Sequence, residues 1–159
     1  ASRLESEGAM KQWQADLVAT TRRLVELRRR FHAIGHHAFF APFTPGDGST
    51  DPGGGLRAGW FTATGAPLTG TDWADASTRT LQMVLIGEDG PASEAVVVAL
   101  HAGGPGELVV PVVDGWPTAH REWSSAWEHP DHPDDDADPQ PGEALALDGP
   151  TVIVWSLHP

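Results

Sequence analysis

Apolar positions recur along two different periods in this chain. From Met10 to Phe31 the period is helical: Trp13, Leu17, Leu24, Leu27 and Phe31 fall at three- and four-residue steps or their sums, making one stripe that Val18 and Val25 widen. Arg22, Arg23, Arg29 and Arg30 lie off the stripe, and basic residues in the last turns suit the negative end of a helix dipole. Gly35 supplies a stop, and no comparable pattern precedes Lys11. From Gly59 onward the pattern changes to short apolar runs bounded by Gly, Pro or Asp. Strands are predicted over Gly59–Thr62, Leu81–Ile86, Ala95–His101, Glu107–Val113, Arg121–Trp127, Ala144–Leu147 and Val152–Leu157. Between the two regimes, Pro42 to Gly55 holds five Gly, three Pro and two Asp, a composition that sustains neither helix nor ladder. The expected fold is mainly β: one long N-terminal helix over residues 1–38, then an antiparallel β-sandwich of the Greek-key type over 39–159.

The length of 159 residues suits one domain with an appendage and is enough to bury a core. Charge separates the same two regions. Residues 1–30 carry seven Lys or Arg against four acids, net +3, while the remaining residues carry three Arg against 18 acids, net −15. The overall −12 argues against a nucleic-acid partner. With no Cys, disulfides, zinc–thiolate sites, iron–sulfur clusters and cysteine nucleophiles are excluded, and a reducing cytoplasm is the expected location. The longest apolar run, Ala95 to Leu100, is far too short to span a membrane, and no leader peptide or membrane partner is expected.

Candidate chemistry is sparse. His129 and His132, with Asp131, Asp134, Asp135, Asp136 and Asp138, gather nitrogen and oxygen ligands suited to zinc, nickel or calcium. Prolines interrupt the segment and no calcium-loop order is present, so the expectation is a solvated acidic loop with no dedicated metal. Asp72, Asp75 and Glu88 lie in turn-like surroundings, where capping explains them better than a raised pKa would. Ser49, Ser93, Ser124 and Ser125 lack a nucleophile elbow. Gly103-Gly104-Pro105-Gly106 reads as a hairpin turn, not a phosphate loop. Seven Trp and no Tyr leave one further chemistry, stacking on sugar rings, with Trp60, Trp73, Trp116, Trp123 and Trp127 as candidates. Of these, Trp60, Trp73 and Trp123 form the preferred carbohydrate-binding set. Trp13 and Trp155 are expected in the core. No catalytic residue and no cofactor is predicted.

Two stretches carry a resemblance. Thr21-Arg22-Arg23-Leu24-Val25-Glu26-Leu27-Arg28-Arg29-Arg30-Phe31-His32 resembles the "RRLIxLRRxHP" helix that closes the catalytic barrel of isoamylase-type glycogen debranching enzymes, in the α-amylase superfamily. Downstream, Trp60 to Trp73 is similar to that family's "W-x-x-x-DG-x-x-M-x-x-x-DW" segment, with Thr64-Gly65 standing at the "DG" step. Arg79 to Gly87 then resembles its "R-S-L-x-x-x-L-x-G". The resemblance runs from about Trp13 to the C-terminus, fading between Trp116 and Gly142. It implies the last barrel helix followed by a C-terminal β-sandwich, in an enzyme that hydrolyses α-1,6 branch linkages of glycogen-like glucans. The family's catalytic carboxylates belong to barrel strands upstream and have no counterpart here. The implied role is a non-catalytic accessory domain that packs on the barrel and stabilises it, with Trp60, Trp73, Arg79 and Leu81 as scaffold. The alternatives are an independent carbohydrate-binding module and, more weakly, an acidic metal-binding protein. The expected partners are the parent barrel, an α-glucan at its edge, and a second copy of the chain through the helix stripe.

Overall fold

The computed structural model describes residues 3–35, 40–42, 55–87, 94–125 and 138–159, with side chains from residue 11 onward in the first of these segments. Helix α1 runs over Arg3–Arg30 and a single turn, α2, over His32–Gly35. The helix therefore begins well before Lys11: strong helix formers such as Leu4, Glu5, Glu7, Ala9 and Met10 sustain it without an apolar stripe. Its last turn holds Arg28, Arg29 and Arg30 beside the carbonyl end of the dipole. The expected stop at Gly35 closes α2 instead. A Cβ there would lie 2.7 Å from the Arg28 carbonyl oxygen, so the chain can turn back this tightly only with glycine.

Each predicted strand has a counterpart. One mixed sheet is ordered β1 (Ala41–Pro42), β2 (Leu56–Phe61), β3 (Thr80–Gly87), β4 (Glu94–His101), β8 (Thr151–His158) and β6 (Thr118–Ser124). A second sheet pairs β5 (Gly106–Val109) with β7 (Ala144–Leu147). All pairings are antiparallel except β1 with β2, which is parallel and two residues long. The fully antiparallel Greek-key sandwich is therefore met only in its coarser sense, as a mainly β fold of two sheets behind a helix. The run expected over Glu107–Val113 ladders only as far as Val109, and the run expected from Arg121 starts at Thr118 and ends at Ser124. Residues 126 and 127 of that run, most of the Pro42–Gly55 loop, Glu88 and the His129/His132 segment up to residue 137 lie outside the described residues.

The turn at Gly103-Gly104-Pro105-Gly106 is not a hairpin. It carries the chain from β4 in the large sheet to β5 in the small one. His101 pins it, with Nδ1 2.7 Å from the Thr80 hydroxyl and Nε2 2.9 Å from the Gly104 carbonyl. The imidazole lies so close that a Cβ on Gly103 would stand 2.9 Å from it.

Alternation along the strands gives the large sheet two apolar faces. On one, Val84, Ile86, Val97, Ala99, Ile153, Trp155 and Leu157 pack with Phe61, Leu108, Val110 and Leu147 in a single buried cluster. Gln82, also buried, sits on this side and donates from Nε2 to the Thr62 and Val109 carbonyls at 2.8 and 2.9 Å. On the other face, Leu27 of α1 and Phe31, just past its end, meet Val96, Trp123 and Val154. Ala33 adds a smaller cluster with Leu56 and Leu85. At the outer margin, two side chains occupy the free edge of β6. Gln140 Oε1 accepts from the Ala119 amide at 3.0 Å, and Asp138 Oδ2 from the Arg121 amide at 3.0 Å. No helix among the described residues is long and apolar enough to cross a membrane.

Candidate interaction surface

Among the described residues, the helix-side face of the sheet is covered at one end only. At the Gly87/Glu94 end, Ala33 packs on the sheet and its amide donates to Glu94 Oε1. Along the strands towards the other end, the cross-strand register sets Trp60 beside Met83, Met83 beside Val98 and Val98 beside Val154. The next apolar row is Leu81, Leu100 and Val152. Leu100 is 44% exposed, and Leu81, Met83, Val98 and Val152 are half-buried. Val98 and Val152 pack against the cluster of Leu27 and Phe31, and Met83 against that of Ala33, so the open part is a small apolar patch around Leu100 and Trp60.

The helix itself shows the same division. Leu27 and Phe31 are buried, whereas Leu24, Leu17 and Trp13, further up the same stripe, are 42%, 50% and 58% exposed. Trp13 is thus not a core residue: the period places it on the apolar stripe, but the sheet ends before it. Polar contacts hold α1 where it crosses β6. The Glu122 carboxylate, almost wholly buried, accepts from Arg30 Nη1 at 2.5 Å through Oε2 and from the Ser156 hydroxyl at 2.7 Å through Oε1. Arg23 Nη2 donates to the Glu122 carbonyl at 3.2 Å. A register shift between Arg121 and Trp123 brings Glu122 into this position and turns Trp123 under the helix.

Trp123 accordingly leaves the carbohydrate set. It is 4% exposed and packs with Leu27, Phe31, Val96 and Val154, so no sugar can reach its face. Trp155 is fully buried, as expected, and Trp116 is half-buried against the same core as Trp155. Trp60 and Trp73 remain, 37% and 55% exposed, with ring centroids 5.5 Å apart. Their planes meet at 72°, an edge-to-face contact, so the two rings offer no common flat platform.

The segment between β2 and β3 is held by its own hydrogen bonds. The Leu68 amide donates to the Trp60 carbonyl at 2.8 Å, and the Thr62 amide to the Ala66 carbonyl at 2.8 Å. A short helix, α3 (Gly70–Ala74), follows Thr69 and was not legible in the sequence. Asp72 Oδ2 accepts from the Thr69 hydroxyl at 2.6 Å and the Thr69 amide at 2.7 Å, bonds that hold its carboxyl below the ordinary aspartate range. Asp75 is lowered likewise by the Ser77 hydroxyl and amide, at 2.7 and 2.8 Å. Both acids are capping groups, as their context predicts. Arg79 Nη1 donates to the Ala76 and Thr78 carbonyls, closing the segment, and its own carbonyl accepts from the Ala102 amide at 2.8 Å.

Among the described residues no group of three or more His, Asp or Glu side chains is placed to hold a metal ion. No family model matches the chain, and no curated protein matches it.

Proposed function

We propose that the chain is a non-catalytic accessory domain of a debranching-type glycoside hydrolase, one acting on the α-1,6 branches of a glycogen-like glucan. Its task is to pack on the catalytic barrel and stabilise it. The observation that supports this most is the open part of the helix-side sheet face, where Leu100, Val152 and Trp60 line a patch beside the hydrogen-bonded 62–79 segment. An apolar face on regular strands is a surface for a protein, not for a sugar. In this reading the six- and two-stranded sheets are the layers of the family's Greek-key sandwich, and Trp60, Trp73, Arg79 and Leu81 are its scaffold.

The test is reconstitution. The chain is added to a debranching-type barrel that lacks its own C-terminal region, and the melting temperature and α-1,6 hydrolysis are followed. The expected result is a complex with raised thermal stability, lost in Leu100→Asp. The chain alone is expected to release no reducing ends from glycogen, amylopectin or pullulan. Release that disappears when one acid of this chain is replaced would overturn the proposal.

A second reading, an independent carbohydrate-binding module, draws on the exposure of Trp73 and Trp60. Retardation in glycogen-containing gels that is abolished by Trp73→Ala, with no effect of Leu100→Asp, would favour it over the first.

A further inference from the structure

Two indoles set across each other serve a flat sugar ring badly, but they suit a rounded ligand. Trp60 comes from β2 and Trp73 from α3, and both keep ring surface in water. With centroids 5.5 Å apart and planes meeting at 72°, the rings make two walls of a corner. Each ring face carries the negative side of the aromatic quadrupole. A cation seated about 4 Å from each plane lies within about 6 Å of both centroids, the reach of a cation–π contact. The walls are also held before any ligand arrives. The Trp60 carbonyl accepts from the Leu68 amide at 2.8 Å, and the Trp73 amide donates to the Thr69 carbonyl at 3.3 Å. Asp72 caps the same turn through Thr69, and the Thr78 hydroxyl reaches the Asp72 carbonyl at 3.4 Å. Groups already ordered lose less on binding.

The charges nearby have the complementary sign. Asp72 precedes Trp73 directly and Asp75 follows it by two positions, and the bonds from Thr69 and Ser77 favour their ionised forms. The one cationic side chain of the 62–79 segment, Arg79, is turned onto the Ala76 and Thr78 carbonyls. We propose that the Trp60/Trp73 corner binds a small organic cation with a quaternary ammonium head, of the choline type. A trimethylammonium group carries no N–H that needs an acceptor, and its charge is spread over methyl groups that fit against ring faces. A primary ammonium is strongly hydrated and gives up its water less readily. A carboxylate on the same molecule would face Asp72 and Asp75, so the preferred ligand is a net cation and not a zwitterion.

The proposal goes beyond the accessory reading and does not rest on it. It uses the faces of two rings held within this chain, whereas a barrel would meet the apolar side chains around Leu100.

The indole N–H resonances of the whole chain are followed during titration with choline, with its neutral carbon isostere dimethylbutanol, and with maltotriose. Choline is expected to shift Trp60 and Trp73 saturably, with a dissociation constant in the millimolar range for two partly exposed rings. The neutral isostere should bind about tenfold more weakly or less. Trp73→Leu, at an exposed position where circular dichroism can establish that the fold is kept, should weaken choline by about tenfold or more, and Trp73→Phe should recover part of the loss. Three results would overturn the proposal: no saturable shift with choline, an isostere that binds as well as choline (the signature of an apolar patch without charge selection), or shifts produced by maltotriose and not by choline. Leu100→Asp separates this site from the accessory reading, because it should lose an added debranching-type barrel and keep choline. Loss of choline in that variant as well would place the ligand on the sheet patch and refute the corner.

Discussion

The two faces of the six-stranded sheet are made from the same strands and the same kinds of side chain, yet only one is finished. Against β5 and β7, Val84, Val97, Leu108 and Trp155 are sealed from solvent along the length of the sheet. Under the helix, the seal stops along the strands beyond Val96 and Val154, and Leu100 and Trp60 stay in contact with water. Strand alternation fixes which residues share a face, but only a second layer makes that face a core. A face that is apolar without its layer is an interface in waiting.

The difference can be probed by substitution. The largest effect is expected on the closed side. Trp155→Ala should cost about 3–5 kcal/mol of folding stability in urea titration, through lost transfer energy and the cavity left behind. Its indole N–H has no hydrogen-bond partner among the described residues, so the loss is one of packing. A cost below about 1 kcal/mol would mean that the small sheet does not seal this face.

An intermediate effect belongs to the helix anchor. Arg30→Gln leaves the buried Glu122 carboxylate with the Ser156 hydroxyl as its remaining partner among the described residues. Breaking a fully buried pair costs about 3–5 kcal/mol. Because Arg30 is more than half exposed and partly screened, about 1–2 kcal/mol is the expected loss in the same titration. Hydrogen exchange should show α1 amides losing protection while β3 and β4 keep theirs. Equal loss everywhere would show that helix and sheet unfold as one unit and that the contrast between the faces is only geometric.

The smallest effect is local and depends on pH. Asp72 and Asp75 titrate below the ordinary aspartate range in the folded chain because Thr69 and Ser77 donate to their ionised forms. A lowered folded-state pKa means that their stabilisation is complete above the unfolded value and is lost as pH falls through the folded one. The 69–78 turn should therefore loosen only below about pH 4, read from the indole N–H resonance of Trp73, and Asp72→Asn should remove most of that transition. A shift centred near neutral pH would assign the change to histidine instead.

Much of the architecture was legible because it rests on local patterns. The runs Leu81–Ile86 and Ala95–His101 differ from β3 and β4 by a residue or two, and Ala144–Leu147 coincides with β7. What escaped depends on partners. Trp13 and Trp123 exchange their expected roles: the helical period puts Trp13 on the stripe but says nothing of where the sheet ends. A bulge at Glu122 turns Trp123 from the face that Arg121 occupies to the one beneath the helix. Nothing in Arg121-Glu122-Trp123 signals an extra residue. The short helix after Thr69 was hidden by its Gly and Thr content, although Thr69 and Asp72 have the spacing of a reciprocal cap. Of the surface, the sequence showed the helical half through its stripe. The sheet half required the register that aligns Leu81, Leu100 and Val152.

The margins of the large sheet carry a different consequence. At one end the outermost strand is two residues long and includes Pro42, which has no amide hydrogen to offer. At the other, the amides of Ala119 and Arg121 are already spent on Gln140 and Asp138, and Gln140 Nε2 also donates to the Ala119 carbonyl at 3.3 Å. An incoming β-strand, whether from a stray peptide or another copy, meets side chains where it would need a ladder. The chain can thus hold exposed leucine and tryptophan on its face without templating a fibril from its rim.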